Sequence, residues 1–167
     1  MGIELRKLSV HDGRDIYEML QEMPENENGF INSVHGKSYE EYQAWLQGAA
    51  KNAEQTGIVD GWKVPSTMFW LFEDGKPVGM GKVRHFLTDA LREHGGNVGY
   101  GIRPSARGRG LGKQLLARLI EECREIGVDQ VLLTVQNHNT ASLRVAAANG
   151  GRTEKVTADS HYIWIDL

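Results

Sequence analysis

Residues 102–113 read Ile102-Arg103-Pro104-Ser105-Ala106-Arg107-Gly108-Arg109-Gly110-Leu111-Gly112-Lys113, and this stretch decides the fold. A strand pattern, Val98 to Ile102, precedes it and is stopped by Pro104. A helical pattern, Leu111 to Ile126, follows it. There Leu111, Leu115, Leu119, Cys123 and Ile126 share a face, with Leu116 and Ile120 beside it, and Gly127 is placed to end the helix. Three glycines in five residues, Gly108, Gly110 and Gly112, let backbone amides approach a ligand with no Cβ in the way. The helix directs its unpaired N–H groups and the positive end of its dipole at the same point. Arg103, Arg107, Arg109 and Lys113 add four cations, in a chain of net charge −3. These features together make a pyrophosphate cradle.

Two familiar cradles fail on spacing. A P-loop needs Gly-x-x-x-x-Gly-Lys-Ser/Thr, but Arg107 stands where the first glycine belongs and Gln114 where the metal-binding hydroxyl belongs. A dinucleotide fingerprint needs Gly-x-Gly-x-x-Gly, whereas Gly108, Gly110 and Gly112 give Gly-x-Gly-x-Gly, late in the chain.

Working outward, Val131 to Val135 is an all-apolar run of the kind buried on both faces of a sheet. A helix over Asn139 to Asn149 closes at Gly150-Gly151, and Arg152 to Thr157 with Tyr162 to Ile165 form a last hairpin. Upstream, Asp89 to Asn97 is a loop or short helical turn. Met68 to Phe72 and Val78 to Leu87 flank the turn signal Glu73-Asp74-Gly75-Lys76. Further back, Ile3 to Leu8 is a short strand, and Ser9 caps a helix over Val10 to Met23 that Pro24 ends. Glu25 to Lys37 is polar and glycine-containing and reads as an exposed loop. Ser38-x-x-Glu41 has capping-box spacing for a second helix, and Thr56 to Pro65 is another loop.

Strands and helices alternate in one unit of 167 residues, an α/β arrangement of the α+β kind. No apolar run approaches the ~20 residues of a membrane span, and Met1 to Lys7 lacks the apolar core of a signal peptide. A pI near 6.1 argues against nucleic acid or an anionic membrane as partner. The single cysteine, Cys123, excludes an intrachain disulfide and a multi-cysteine metal site, and no metal is expected. A cytoplasmic protein with a small-molecule ligand is the expectation.

The motifs resemble those of the GNAT superfamily of N-acetyltransferases. Arg107-x-x-Gly110-x-Gly112 is similar to that family's Arg/Gln-x-x-Gly-x-Gly/Ala loop, and Asn139-x-x-Ser142 to its Asn-x-x-Ala/Ser element. Val83-Arg84-His85 resembles the "IRH" string of a bacterial subgroup of unassigned substrate. The resemblance covers essentially the whole chain and implies one N-acetyltransferase domain over 1–167. The implied fold is a mixed, mostly antiparallel twisted sheet of about six or seven strands flanked by about four helices. Its fourth and fifth strands are parallel and splay apart, joined by a right-handed crossover.

The implied activity is transfer of the acetyl group of acetyl-CoA to a primary amine of a small molecule or peptide, by direct attack in a ternary complex. The alternative is a non-catalytic acyl-CoA-binding module. Tyr100, Gly101 and Ile102 would contact pantetheine, with Asn139 and Ser142 beside it. Residues Arg107, Gly108, Arg109, Gly110, Leu111, Gly112 and Lys113 would hold the pyrophosphate. The family's usual tyrosine acid falls at Ala146, so Tyr100, His85 and Ser142 are the catalytic candidates. Glu27, Asn28 and Arg84 are the acceptor-binding candidates, and Trp45, Trp62 and Trp70 are either pocket or core. The last strands can pair into a homodimer in this family.

Overall fold

The computed structural model describes residues 2–58 and 63–167; Trp62 lies outside the described residues. In chain order the elements are β1 (Ile3–Lys7), α1 (Arg14–Glu22), β2 (Asn26–Glu27), β3 (Phe30–Ile31), α2 (Tyr39–Ala53), β4 (Ser66–Glu73), β5 (Lys76–Arg84), α3 (Asp89–Glu93), β6 (Val98–Ile102), a 3-10 turn (Pro104–Ala106), α4 (Leu111–Glu125), β7 (Gln130–Gln136), α5 (Thr140–Ala148), β8 (Arg152–Val156) and β9 (Ser160–Asp166).

One sheet has the order β1-β4-β5-β6 and another the order β7-β9-β8, each antiparallel throughout. The fourth and fifth strands of the sequence reading are β6 and β7. No ladder joins them among the described residues. Asn97 pins them at one end: its N–H donates to the Leu132 carbonyl at 2.9 Å, and its Oδ1 accepts from the Leu132 N–H at 2.7 Å. A side chain thus supplies one rung of a missing ladder. From that pin both strands run the same way, since the Tyr100 hydroxyl on β6 meets Ser142, beyond the far end of β7. The result is a wedge, closed at Asn97 and open toward Tyr100.

Packing fixes the wedge. A core of Leu115, Leu116, Leu119, Val131, Leu133 and Ile163 seats α4 and α5 on both sheets. α4 lies so close to β5 that a Cβ at Gly81 would fall 2.6 Å from Leu119 Cδ1. On the opposite face α1 and α2 bury Met19, Leu20, Tyr42 and Leu46 with Trp70 and Met80. Trp45 and Trp70 belong to that core rather than to a pocket, and Cys123 is fully buried.

Several boundaries depart from expectation. Ser9 does not cap α1: its hydroxyl caps only a turn, accepting from the His11 N–H, and the helix starts at Arg14 after Gly13. Asp12, just before, is occupied instead by the Ser9 N–H and the Trp70 indole. Residues 25–37 are not simply an exposed loop. They hold the β2–β3 hairpin, with Asn32 and Val34 buried and Asn32 Nδ2 donating to the Leu20 and Met23 carbonyls. The strand expected to reach Leu87 ends at Arg84. The Ser38–Glu41 capping box is present at α2, and Asp74 (φ 49°) and Gly75 (φ 80°) make the expected two-residue turn.

Candidate active site

The wedge opens into two clefts that share Glu27, Asn28, Tyr100, Asn139 and Ser142. The larger, of about 360 Å³, runs along the loop before α4 and is lined by Gly108, Gly110, Leu111, Gly112 and Lys113. The smaller, of about 180 Å³, lies under the β2–β3 turn and adds Phe30, Arg84, His94, Thr134 and Gln136.

The larger cleft has the backbone geometry and the cations of an anion cradle. Gly108 (φ 81°) and Gly110 (φ 76°) hold the left-handed backbone that only glycine adopts without strain. Gly110 is the N-cap of α4 and no side chain caps that end, so the first-turn N–H groups are left for a ligand. The cations divide unequally. Lys113 and Arg107 line the cleft. Arg109 turns away to pair with Glu73 at 2.6 Å, so only its backbone belongs to the loop. Arg103 is bound at its Nε and Nη2 by Glu22 Oε1, at 3.0 and 2.8 Å.

That glutamate braces the loop, a role sequence reasoning missed. Glu22 also accepts from the Ser105 N–H at 2.6 Å and from the Ser105 hydroxyl at 3.0 Å. Burial pushes its carboxyl up, but the bonds from Ser105 and Arg103 outweigh this and hold it below the usual range. No local signal marks Glu22, whose partners lie more than 80 residues away.

Around the wedge the strands leave usable backbone. β6 is the edge of its sheet, paired with β5 on one side only, so Tyr100, Gly101 and Ile102 present their other edge to the cleft. The Tyr100 hydroxyl lies 2.7 Å from Ser142 Oγ. Burial raises the Tyr100 pKa, and the Ser142 bond opposes this only in part. Asn139 Oδ1 caps α5 by accepting from the Ser142 N–H, which places both residues at the mouth. Ala146 is fully buried, so α5 has no room for a larger side chain there without repacking.

The acceptor candidates separate. Arg84 Nη1 donates to the Gly95 and Gly96 carbonyls at 3.1 and 3.3 Å. Among the described residues no carboxylate pairs with it, and burial lowers its pKa. Glu27 pairs with Arg107 at 2.5 Å, and Asn28 Oδ1 bonds His138 Nε2 at 2.7 Å. The structure does not bring His85 to the clefts. Its Nε2 bonds Thr67 Oγ1 at 2.8 Å, its N–H donates to the Pro65 carbonyl, and burial lowers its pKa. No helix of the described residues is long and apolar enough to cross a membrane.

The chain is similar to known proteins in sequence and in fold. The profile of the Acetyltransferase (GNAT) family matches residues 15–150. An L-methionine sulfoximine/L-methionine sulfone acetyltransferase of Salmonella typhimurium is 39% identical over 72 residues, 40% of this chain and 40% of that protein. The L-amino acid N-acyltransferase MnaT of Escherichia coli is 30% identical over 98 residues, 59% of this chain and 46% of that protein. The chain thus spans less than half the length of these curated relatives. Among solved structures, a RimL ribosomal L7/L12 alpha-N-protein acetyltransferase in complex with coenzyme A superposes with a TM-score of 0.74 at 16% identity, over 100% of this chain and 95% of that one. The yncA protein of Salmonella typhimurium with its cofactor acetyl-CoA superposes with a TM-score of 0.63 at 18% identity, with the same coverage.

Proposed function

Since the chain belongs to the GNAT acetyltransferase family, we propose that it transfers the acetyl group of acetyl-CoA to the primary amine of a small, carboxylate-bearing acceptor. One observation carries the acetyl-transfer reading: the uncapped glycine N-terminus of α4 and the Tyr100–Ser142 pair face the same wedge. The cradle fits the diphosphate, because its two left-handed glycines keep side chains off the surface where amides and phosphate oxygens would meet.

Acetyl-CoA supplies an activated thioester. The protein's own groups do the rest. The first-turn amides of α4 with Lys113 and Arg107 bind the diphosphate. The free edge of β6 at Tyr100, Gly101 and Ile102 aligns the pantetheine arm, and an N–H of that edge stabilises the oxyanion that develops on the carbonyl. The acceptor amine attacks directly, with both substrates bound. A nitrogen–carbon bond forms and the carbon–sulfur bond breaks. Tyr100, backed by Ser142, donates a proton to the departing sulfur, and the proton that the amine nitrogen sheds on becoming an amide returns to the phenol through solvent. A thiol of pKa ~8.5 leaves readily, so this pair can serve where Ala146 cannot.

Arg84 supports the acceptor class. A guanidinium held in a cleft by two carbonyls, with no carboxylate partner among the described residues, is preorganised for an incoming carboxylate. The two curated relatives act, by their names, on amino acids. The test is release of CoA thiol over a panel in which each L-amino acid is paired with its amide and its decarboxylated amine. The free acids should be preferred by roughly 10-fold or more, and Arg84→Met should abolish that preference. CoA binding without turnover of any amine would instead support the acyl-CoA-binding module.

A further inference from the structure

The β2–β3 turn bridges the wedge. On one lip Glu27 Oε1 holds Arg107 Nη2 at 2.5 Å; on the other Asn28 Oδ1 holds His138 Nε2 at 2.7 Å. The turn between them is firm. Asn28 (φ 54°) and Gly29 (φ 87°) make a tight two-residue reversal, and the Gly29 N–H donates to Asn26 Oδ1 at 3.0 Å. The next residue, Phe30, lies against β6 where a Cβ at Gly99 would approach its ring to 2.7 Å.

Glu27 borders both clefts, and Arg107 borders the diphosphate cleft alone. The Arg107 guanidinium is held at two points, with Nε on the Ile102 carbonyl at 3.0 Å and Nη2 on Glu27. A diphosphate in the cradle carries more negative charge than Glu27 and offers bidentate oxygens, so it competes for the same guanidinium. Once Arg107 turns to the phosphates, the Glu27 carboxylate is left without its cation, facing the smaller cleft. An ammonium group restores the charge balance there.

We propose that Glu27 is the residue that receives the acceptor's amino group, and that Arg107 withholds it until a diphosphate fills the cradle. This rests on the acetyl-transfer reading and adds to it a coupling between its two substrates. With Arg84 the smaller cleft then has a carboxylate and a guanidinium, a charge pair complementary to an amino acid. The coupling is reciprocal, so the acceptor tightens the cofactor as much as the cofactor tightens the acceptor.

Calorimetric titration tests this with CoA, with pantetheine, which lacks the diphosphate, and with L-methionine as a probe amine. In Glu27→Gln the competing ion pair is gone, and CoA should bind about two- to fivefold tighter, the range an exposed pair is worth. Pantetheine should bind equally to both proteins. L-Methionine should bind the wild type more tightly in saturating CoA and not in pantetheine, and Glu27→Gln should lose that enhancement. A folded Glu27→Gln that binds CoA no tighter than wild type overturns the proposal, whatever the natural acceptor. So does L-methionine binding whose strength CoA leaves unchanged. Should Glu27→Gln lack a cooperative melt, Arg107→Gln decides: CoA binds it more weakly and no longer alters L-methionine affinity, and persistence of the enhancement refutes the exchange. Wild type that fails to bind CoA at all would overturn the acetyl-CoA reading instead.

Discussion

The Tyr100 hydroxyl stands 2.7 Å from Ser142 Oγ, joining the edge of β6 to the first turn of α5 across the open end of the wedge. Under the proposed mechanism these two hydrogen-bonded hydroxyls take the place of a single acid on the helix. Tyr100→Phe should lower kcat about 10²-fold or more, the low end of what a positioned acid contributes. Ser142→Ala should cost less, and the double variant should be no worse than Tyr100→Phe, since the pair acts as a unit. Steady-state kinetics of the three variants decides this.

The pH dependence follows from the burial of Tyr100. Its raised pKa keeps the phenol protonated well into alkaline solution. The rate should therefore rise with pH between about 6 and 9, as the acceptor amine loses its proton, with no descending limb in that range. A falling limb below pH 9 in kcat/KM would place the acid elsewhere.

Gly110 and Gly112 should respond differently to alanine. At Gly110 (φ 76°) the substitution strains the backbone, by about 1–2 kcal/mol, and weakens CoA binding as well. Gly112 is helical, and a Cβ there would meet Val145 Cγ2 at an ordinary 3.5 Å. Gly112→Ala should keep or slightly raise Tm and leave CoA affinity close to wild type, since the resembling motif admits alanine there, read by thermal melts and calorimetry.

Glu22→Gln should loosen the loop from behind. The bonds to Ser105 and Arg103 are charge-assisted, and losing them should destabilise by roughly 1.5–3 kcal/mol while lowering CoA affinity. The Glu22 carboxyl is held below its ordinary pKa, so its contribution is complete above the usual carboxylate range and lost as pH falls through its folded value. The stability gap between wild type and Glu22→Gln should thus close in acid, in denaturant titrations from pH 7 down to pH 3.

His85→Gln should reduce stability and leave the shape of the pH–rate profile alone, because its ring bonds Thr67 and does not border the clefts. The lowered His85 pKa favours the neutral ring, so its contribution is complete above the ordinary histidine value and declines as pH falls through it. A rate loss of 10² with unchanged Tm would contradict this placement.

The sequence alone determined the glycine turn before α4 and the elements around it. A left-handed glycine, a bare helix start and an apolar helix face are written in neighbouring residues, so Gly108, Gly110 and the stripe from Leu111 to Cys123 carry their meaning locally. The same holds for the Ser38–Glu41 capping box and the Asp74-Gly75 turn. Tertiary structure decided which cation does what. Arg103, Arg107 and Arg109 look equivalent in the chain, yet one braces the loop through Glu22, one reaches Glu27 and one leaves for Glu73. The Arg107 and Glu27 positions are 80 residues apart, and the Tyr100 and Ser142 positions 42. A long side chain pairs with whatever polar group the fold carries within its reach, and that depends on how β2, β6 and α5 approach the wedge that Asn97 pins. The spacing of residues along the chain does not contain that approach.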